Sequence, residues 1–98
     1  MEDVNEMAKI KDVIYNKESY GWRINCPACK QIHVVNKTWS FNGEYEKPTL
    51  SPSLLVTALF MGDIENYVCH SFVTDGNIQF LSDCTHDMAG ITVELPDV

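Results

Sequence analysis

Apolar and polar positions alternate with period two along much of this chain, which is the signature of strands rather than helices. Tyr20, Trp22 and Ile24 alternate with Gly21, Arg23 and Asn25, and this predicts a strand running straight into Cys26. Residues 31–35 (QIHVV) predict the return strand. Before this pair, residues 10–15 (IKDVIY) predict a short β-branched strand, followed by a turn over residues 16–19. After it, residues 38–41 (TWSF) predict another strand, stopped by Asn42-Gly43. Pro48 and Pro52, with Thr49, Ser51 and Ser53 around them, form an irregular or edge segment, because proline cannot donate to a ladder. Residues 54–60 (LLVTALF) are almost continuously apolar and predict a strand buried on both faces.

The clearest local structure is a hairpin over residues 67–83. Asp75-Gly76 is a two-residue type I′ turn signal, so Thr74 faces Asn77. In that register Cys69 lies opposite Ser82 and diagonal to Cys84, and the three share one face. His70 and Asp83 share the other. A last strand is expected over residues 91–95, closed by Pro96.

The fold expected is mostly β with little helix: a small antiparallel β sandwich or open barrel with a zinc-ribbon-like knuckle. Residues 1–19 read as a polar N-terminal tail and a short strand, with any helical turn confined to the first nine, and residues 20–98 as one domain. At 98 residues there is room for one core, and a marginal one, so a metal staple would matter.

Charge narrows the function classes. Seven basic against 14 acidic residues give a net charge of −7, which argues against nucleic-acid binding, whose footprint is basic. The acidic start (MEDVNE) is no signal peptide, and the longest apolar run is too short to span a bilayer. A cytoplasmic protein is expected. In a reducing compartment four cysteines point to metal rather than to disulfides.

All four cysteines fall in Cys26-Pro27-Ala28-Cys29, Cys69-His70 and Cys84-Thr85-His86. A C-x-x-C pair on a knuckle presents two thiolates to one ion, and zinc takes four sulfur or nitrogen ligands in a tetrahedron. The expected cofactor is Zn2+, held by Cys26, Cys29, Cys69 and Cys84, with His86 as the alternative ligand. His33, His70 and Asp83 are expected beside the ligands as hydrogen-bonding neighbours. The competing reading makes the metal catalytic and open to water, with His70, Asp83 and His86 as acid–base groups. Neither HExxH nor GxSxG is present.

The order Cys26-Pro27-Ala28-Cys29 with His33, Trp39-Ser40-Phe41-Asn42-Gly43, Pro48-Thr49-Leu50-Ser51-Pro52-Ser53, Cys69-His70-Ser71-Phe72-Val73, Asp75-Gly76-Asn77-Ile78-Gln79-Phe80-Leu81 and Asp83-Cys84-Thr85-His86 with Ala89-Gly90 resembles the DUF6527 family. These are small proteins of phages and prophage-bearing bacteria, without an established function. Their frequent ammonia monooxygenase label does not suit a chain with no membrane span. The resemblance implies a phage or bacterial origin and a cytoplasmic setting. Combined with a full thiolate set and no catalytic signature, it gives the expectation of a zinc-stabilised accessory protein that binds a host or phage protein, with no membrane contact. The alternative is a small zinc-dependent hydrolase. An acidic decoy for a nucleic-acid-binding protein ranks last, since the acids are dispersed.

Overall fold

The computed structural model describes residues 8–98, so most of the expected polar tail lies outside the described residues. The last three residues before the first strand do not behave as a tail: Ala8, Lys9 and Ile10 are buried. The Lys9 ammonium pairs with Asp97 at 2.8 Å and Glu94 at 3.1 Å, as a buried amine requires.

Eight strands form two antiparallel sheets, and there is no helix among the described residues. The first sheet has the order β1 (Lys11–Tyr15), β2 (Glu18–Cys26), β3 (Gln31–Asn36). The second runs β4 (Ser40–Phe41), β5 (Leu50–Met61), β6 (Ile64–Thr74), β7 (Asn77–Phe80), β8 (Thr92–Glu94). No helix is long and apolar enough to cross a membrane. The mostly β, antiparallel architecture read from the sequence is therefore the observed one.

One buried cluster draws on both sheets. The first contributes Ile24, Cys26 and Val35, and the second Leu54, Tyr67, Cys69, Val73, Ile78 and Phe80. These positions alternate along their strands, as a half-buried sheet demands. Burying each large apolar side chain contributes about 1.5–3 kcal/mol. At Gly21, β2 and β3 approach so closely that a Cβ would overlap the Val35 carbonyl oxygen.

The hairpin keeps its expected register near the turn, where Thr74 pairs with Asn77 and Ser71 with Phe80, but β7 stops at Phe80 and the expected pairing of Cys69 with Ser82 is not formed. Asp75 and Gly76 both have positive φ, at 51° and 83°, which is the backbone that a type I′ turn requires. The strand expected over residues 38–41 shrinks to Ser40–Phe41, because the residues before it form a turn: the Trp39 N–H bonds back to the Asn36 carbonyl at 3.1 Å and the Thr38 N–H to Asn36 Oδ1 at 2.9 Å.

The run over residues 54–60 is not buried on both faces. Leu54 is 4 % exposed, but Leu55 is 60 % and Leu59 78 % exposed. The cause is topological. The second sheet has a partner sheet on one side only, so every second residue of β5 faces outward whatever its polarity. Near its start β5 also carries extra length: Leu50 pairs with Val73 and Leu54 with Ser71, so four residues on β5 span what two cover on β6. Pro52, after a cis peptide bond, and Ser53 lie in this bulge.

Candidate active site and metal centre

The inner face of the molecule holds a compact sulfur–nitrogen group. β2 ends at Cys26, a four-residue turn reverses the chain, and β3 carries His33 back to pair with Ile24. The knuckle is closed by the Lys30 N–H on the Cys26 carbonyl at 2.9 Å, with Lys30 at φ 59°. Inside it the Cys29 N–H points at the Cys26 sulfur, 3.4 Å away. β6 supplies Cys69 from the second sheet. The ligating atoms of Cys26, Cys29, His33 and Cys69 all lie within 4.8 Å of one another, and all four residues are buried. His33 Nε2 is buried without a hydrogen-bond partner, an orphan that a cation at the centre would satisfy. The group could therefore hold a metal ion.

The electrostatics lean the same way. Cys26 is held down to about 3, chiefly by the hydrogen bond from Cys69 and further by His33 and the Cys29 N–H. Cys69 is pushed up, first by its bond to Cys26 and then by burial. Burial likewise raises Cys29, whose sulfur lies 2.8 Å from the buried Tyr67 hydroxyl. In the bare cluster one thiolate thus forbids the next, a conflict that a central dication removes.

Of the four cysteines expected as ligands, the structure brings three into this group, with His33 beside them. Cys84 falls in an overlapping group with Cys69 and His86. Its sulfur is engaged with the backbone of His70, 3.2 Å from both the nitrogen and the carbonyl oxygen. His86 Nδ1 accepts the Met88 N–H at 3.2 Å. Its other ring nitrogen, Nε2, is buried without a hydrogen-bond partner, as that of His33 is.

On the outer face of the same strands lies a different constellation. His70 follows Cys69 in β6, and strand alternation turns it away from the core. Its Nδ1 lies 3.0 Å from Asp83 Oδ2. Its Nε2 lies 3.0 Å from Ser53 Oγ. The carboxylate accepts from Nδ1–H, which leaves the Nε2 lone pair for the serine proton. Ser53 reaches this position because the β5 bulge lifts it over His70, on the face opposite Leu54. A hydroxyl, an imidazole and a carboxylate so joined form a nucleophile, a general base and the group that orients the base. Such a triad is recognised by geometry and not by chain order.

The chain belongs to the BubE family. The family model, described as bacterial ubiquitination-like system serine protease, matches residues 1–81. No curated protein and no solved structure matches the chain. The BubE match spans Ser53 and His70 and ends just before Asp83.

The match corrects three sequence expectations. The matching family is BubE and not DUF6527, so the phage origin and the absence of a known function that went with that resemblance fall away. The reading as a non-enzymatic accessory protein falls with them, because the family is one of proteases. The zinc-hydrolase alternative fails on geometry as well. His70 and Asp83 do meet, but around Ser53 and outside both cysteine groups, while His86 is on the buried side.

Ser53 is the member of this hydrogen-bonded trio that the sequence reading passed over. Its signal was the hydroxyl-rich run around Pro48 and Pro52, read as an irregular or edge segment. Nothing local marks it, since the nucleophile elbow GxSxG is absent.

Proposed function

We propose that this BubE chain is a serine hydrolase of protein acyl bonds, with Ser53 as nucleophile, His70 as general base and Asp83 as the group that orients His70. The observation that carries the reading is the unbroken relay from Ser53 Oγ through both nitrogens of His70 to Asp83, 3.0 Å at each step. Ser53 Oγ attacks the substrate carbonyl while His70 Nε2 takes its proton. The same proton goes to the leaving group as the tetrahedral adduct collapses. Water, deprotonated by His70, then releases the acyl group. Asp83 keeps the imidazole in the working tautomer and offsets the charge it gains. The family description supports a substrate within a ubiquitination-like system, hence a protein partner rather than a nucleic acid or a membrane.

Zinc is the ion we propose for the inner group, bound by Cys26, Cys29, His33 and Cys69. A tetrahedron with Zn–S bonds of about 2.3 Å sets its ligand atoms about 3.8 Å apart, inside the 4.8 Å envelope of these atoms. Four protein ligands leave no open position, so the ion is structural. It holds Cys69 and thereby the strand that presents His70.

A fluorophosphonate probe tests the triad. Wild-type protein should form one covalent adduct, located at Ser53 by mass spectrometry and abolished by Ser53→Ala and His70→Ala. An unlabelled wild-type protein with intact fold would sink the proposal. Elemental analysis should find close to one zinc per chain, and its absence in folded protein would sink the metal assignment.

A further inference from the structure

Among the described residues no strand covers most of the side of β5 away from β6. Among the described residues, β4 pairs with β5 only at Leu50 and Ser51. From Leu54 to Met61 no strand lies against that side. The direction of the backbone groups follows from β6. Val68 bonds through its N–H and carbonyl to Thr85, and His70 through its own to Cys84 and Leu81, all on the far side of β6. Their cross-strand partners, Thr57 and Leu55, are then the pairs without ladder bonds, and their N–H and C=O groups point out to the bare edge. Alternation puts those of Leu59 there too.

Natural edges are normally blunted by charge, proline or a covering element. Residues 54–61 contain no charged residue and no proline. The edge also runs directly into the bulge that carries Ser53. A strand laid against it leads up to the nucleophile, about 3.3 Å per residue, and stops where Trp39 and β4 take over the edge at Pro52 and Ser51.

We propose that the substrate binds as an added antiparallel or parallel strand on this edge, as an extended peptide segment with apolar residues at alternate positions. The inference rests on the serine-protease reading above. Main-chain bonds to Leu55, Thr57 and Leu59 supply affinity and register, and a segment of about five residues engages all three. The outward side chains of Leu55 and Leu59, 60 % and 78 % exposed, meet every second residue of the guest. A folded substrate is excluded until it releases such a segment. A second copy of this chain could pair with the same edge, but continuity with Ser53 favours the substrate.

The test uses the full chain and an equimolar pool of randomised synthetic peptides of about ten residues, with cleavage sites read by mass spectrometry. Cleaved peptides should show apolar residues at alternate positions on one side of the cut. N-methylation of a single edge-facing amide in a cleaved peptide should lower kcat/KM about tenfold, the effect of one main-chain hydrogen bond. Thr57→Pro, which removes one outward N–H and is tolerated on an edge, should do the same while Ser53 still reacts with the fluorophosphonate. Thr57→Lys is the second variant should the proline disturb folding.

Unchanged cleavage by these variants and of the methylated peptides would overturn the proposal. So would a pool left uncut while Ser53 labels, and so would a stable dimer whose dissociation exposes the edge. Failure of Ser53 to label at all strikes the protease reading instead, and separates the two.

Discussion

Cys69 and His70 are neighbours in β6 and face opposite ways. Cys69 is 1 % exposed and looks into a group of sulfur and imidazole. The His70 side chain is 26 % exposed and looks onto Ser53 and Asp83. On the inner side, low dielectric and crowded thiols favour a soft dication that satisfies every ligand and leaves no place for water. On the outer side, partial exposure leaves room for a substrate carbonyl and for the water that completes turnover. One strand thus separates the group proposed to hold a metal from the group proposed to react. Cys84 links them, with its sulfur against the His70 backbone and its neighbour Asp83 against the His70 ring.

The largest effect should come from emptying the inner side. A structural zinc contributes on the order of 10 kcal/mol, comparable with the whole stability of a small domain, about 5–15 kcal/mol. Cys26→Ser, or a strong chelator, should abolish both the β signal in circular dichroism and Ser53 labelling. Lowering the pH should release the metal as the ligands take up protons. A metal-free protein that melts like the wild type would erase the division between the two faces.

Next come the outer-face substitutions, which should leave the fold alone. Ser53→Ala and Asp83→Asn should each lower kcat on the order of 10⁴-fold or more, with zinc content and melting temperature unchanged. A lowered melting temperature would mean that the outer face is part of the staple after all.

Adjacent leucines give a purely energetic version of the contrast. Leu54→Ala should cost about 2–5 kcal/mol in a urea titration. Leu55→Ala, one residue on and exposed, should stay within about 0.5 kcal/mol. Similar costs at both would mean that β5 is covered on both sides.

The smallest of these effects, and the one that sharpens the comparison most, is at Cys84. Cys84→Ala removes the contacts to the His70 backbone and should cost about 1 kcal/mol, with kcat down about tenfold and KM unchanged. Cys84→Ser, which keeps a donor and an acceptor, should recover much of the rate. Both should retain the metal. Loss of zinc from either would make Cys84 a ligand, as the spacing of the cysteines suggested.

What could be read in advance was local. Asp75-Gly76 sets the turn of the 67–83 hairpin, and from it follow the alternation of Cys69 and His70 and the shared face of His70 and Asp83; their actual contact did not follow from the sequence, since Asp83 lies beyond the end of β7. Cys26-Pro27-Ala28-Cys29 sets the knuckle. What could not be read depended on chain segments far apart in sequence. His33 was left as a neighbour because its place beside Cys26 needs the β2–β3 register. Ser53 was passed over because its position comes from extra residues in β5, visible only against β6. Leu55 and Leu59 were taken for core because an apolar run carries no mark of which side lacks a partner sheet. The order of motifs suggested a family, and the family model names another.

The missing side chain at Gly21 reaches further than its own strand. By letting β3 lie hard against β2 there, it fixes how far the return limb of the knuckle stands off, and His33 is three residues from the contact, on that limb. A single methyl group, set in the first sheet well away from any sulfur, would wedge the limbs apart and draw the imidazole out of the ring of donors. Tolerance to substitution in this protein is therefore not a matter of distance from the chemistry, and a screen for inactive variants should recover Gly21 alongside the cysteines.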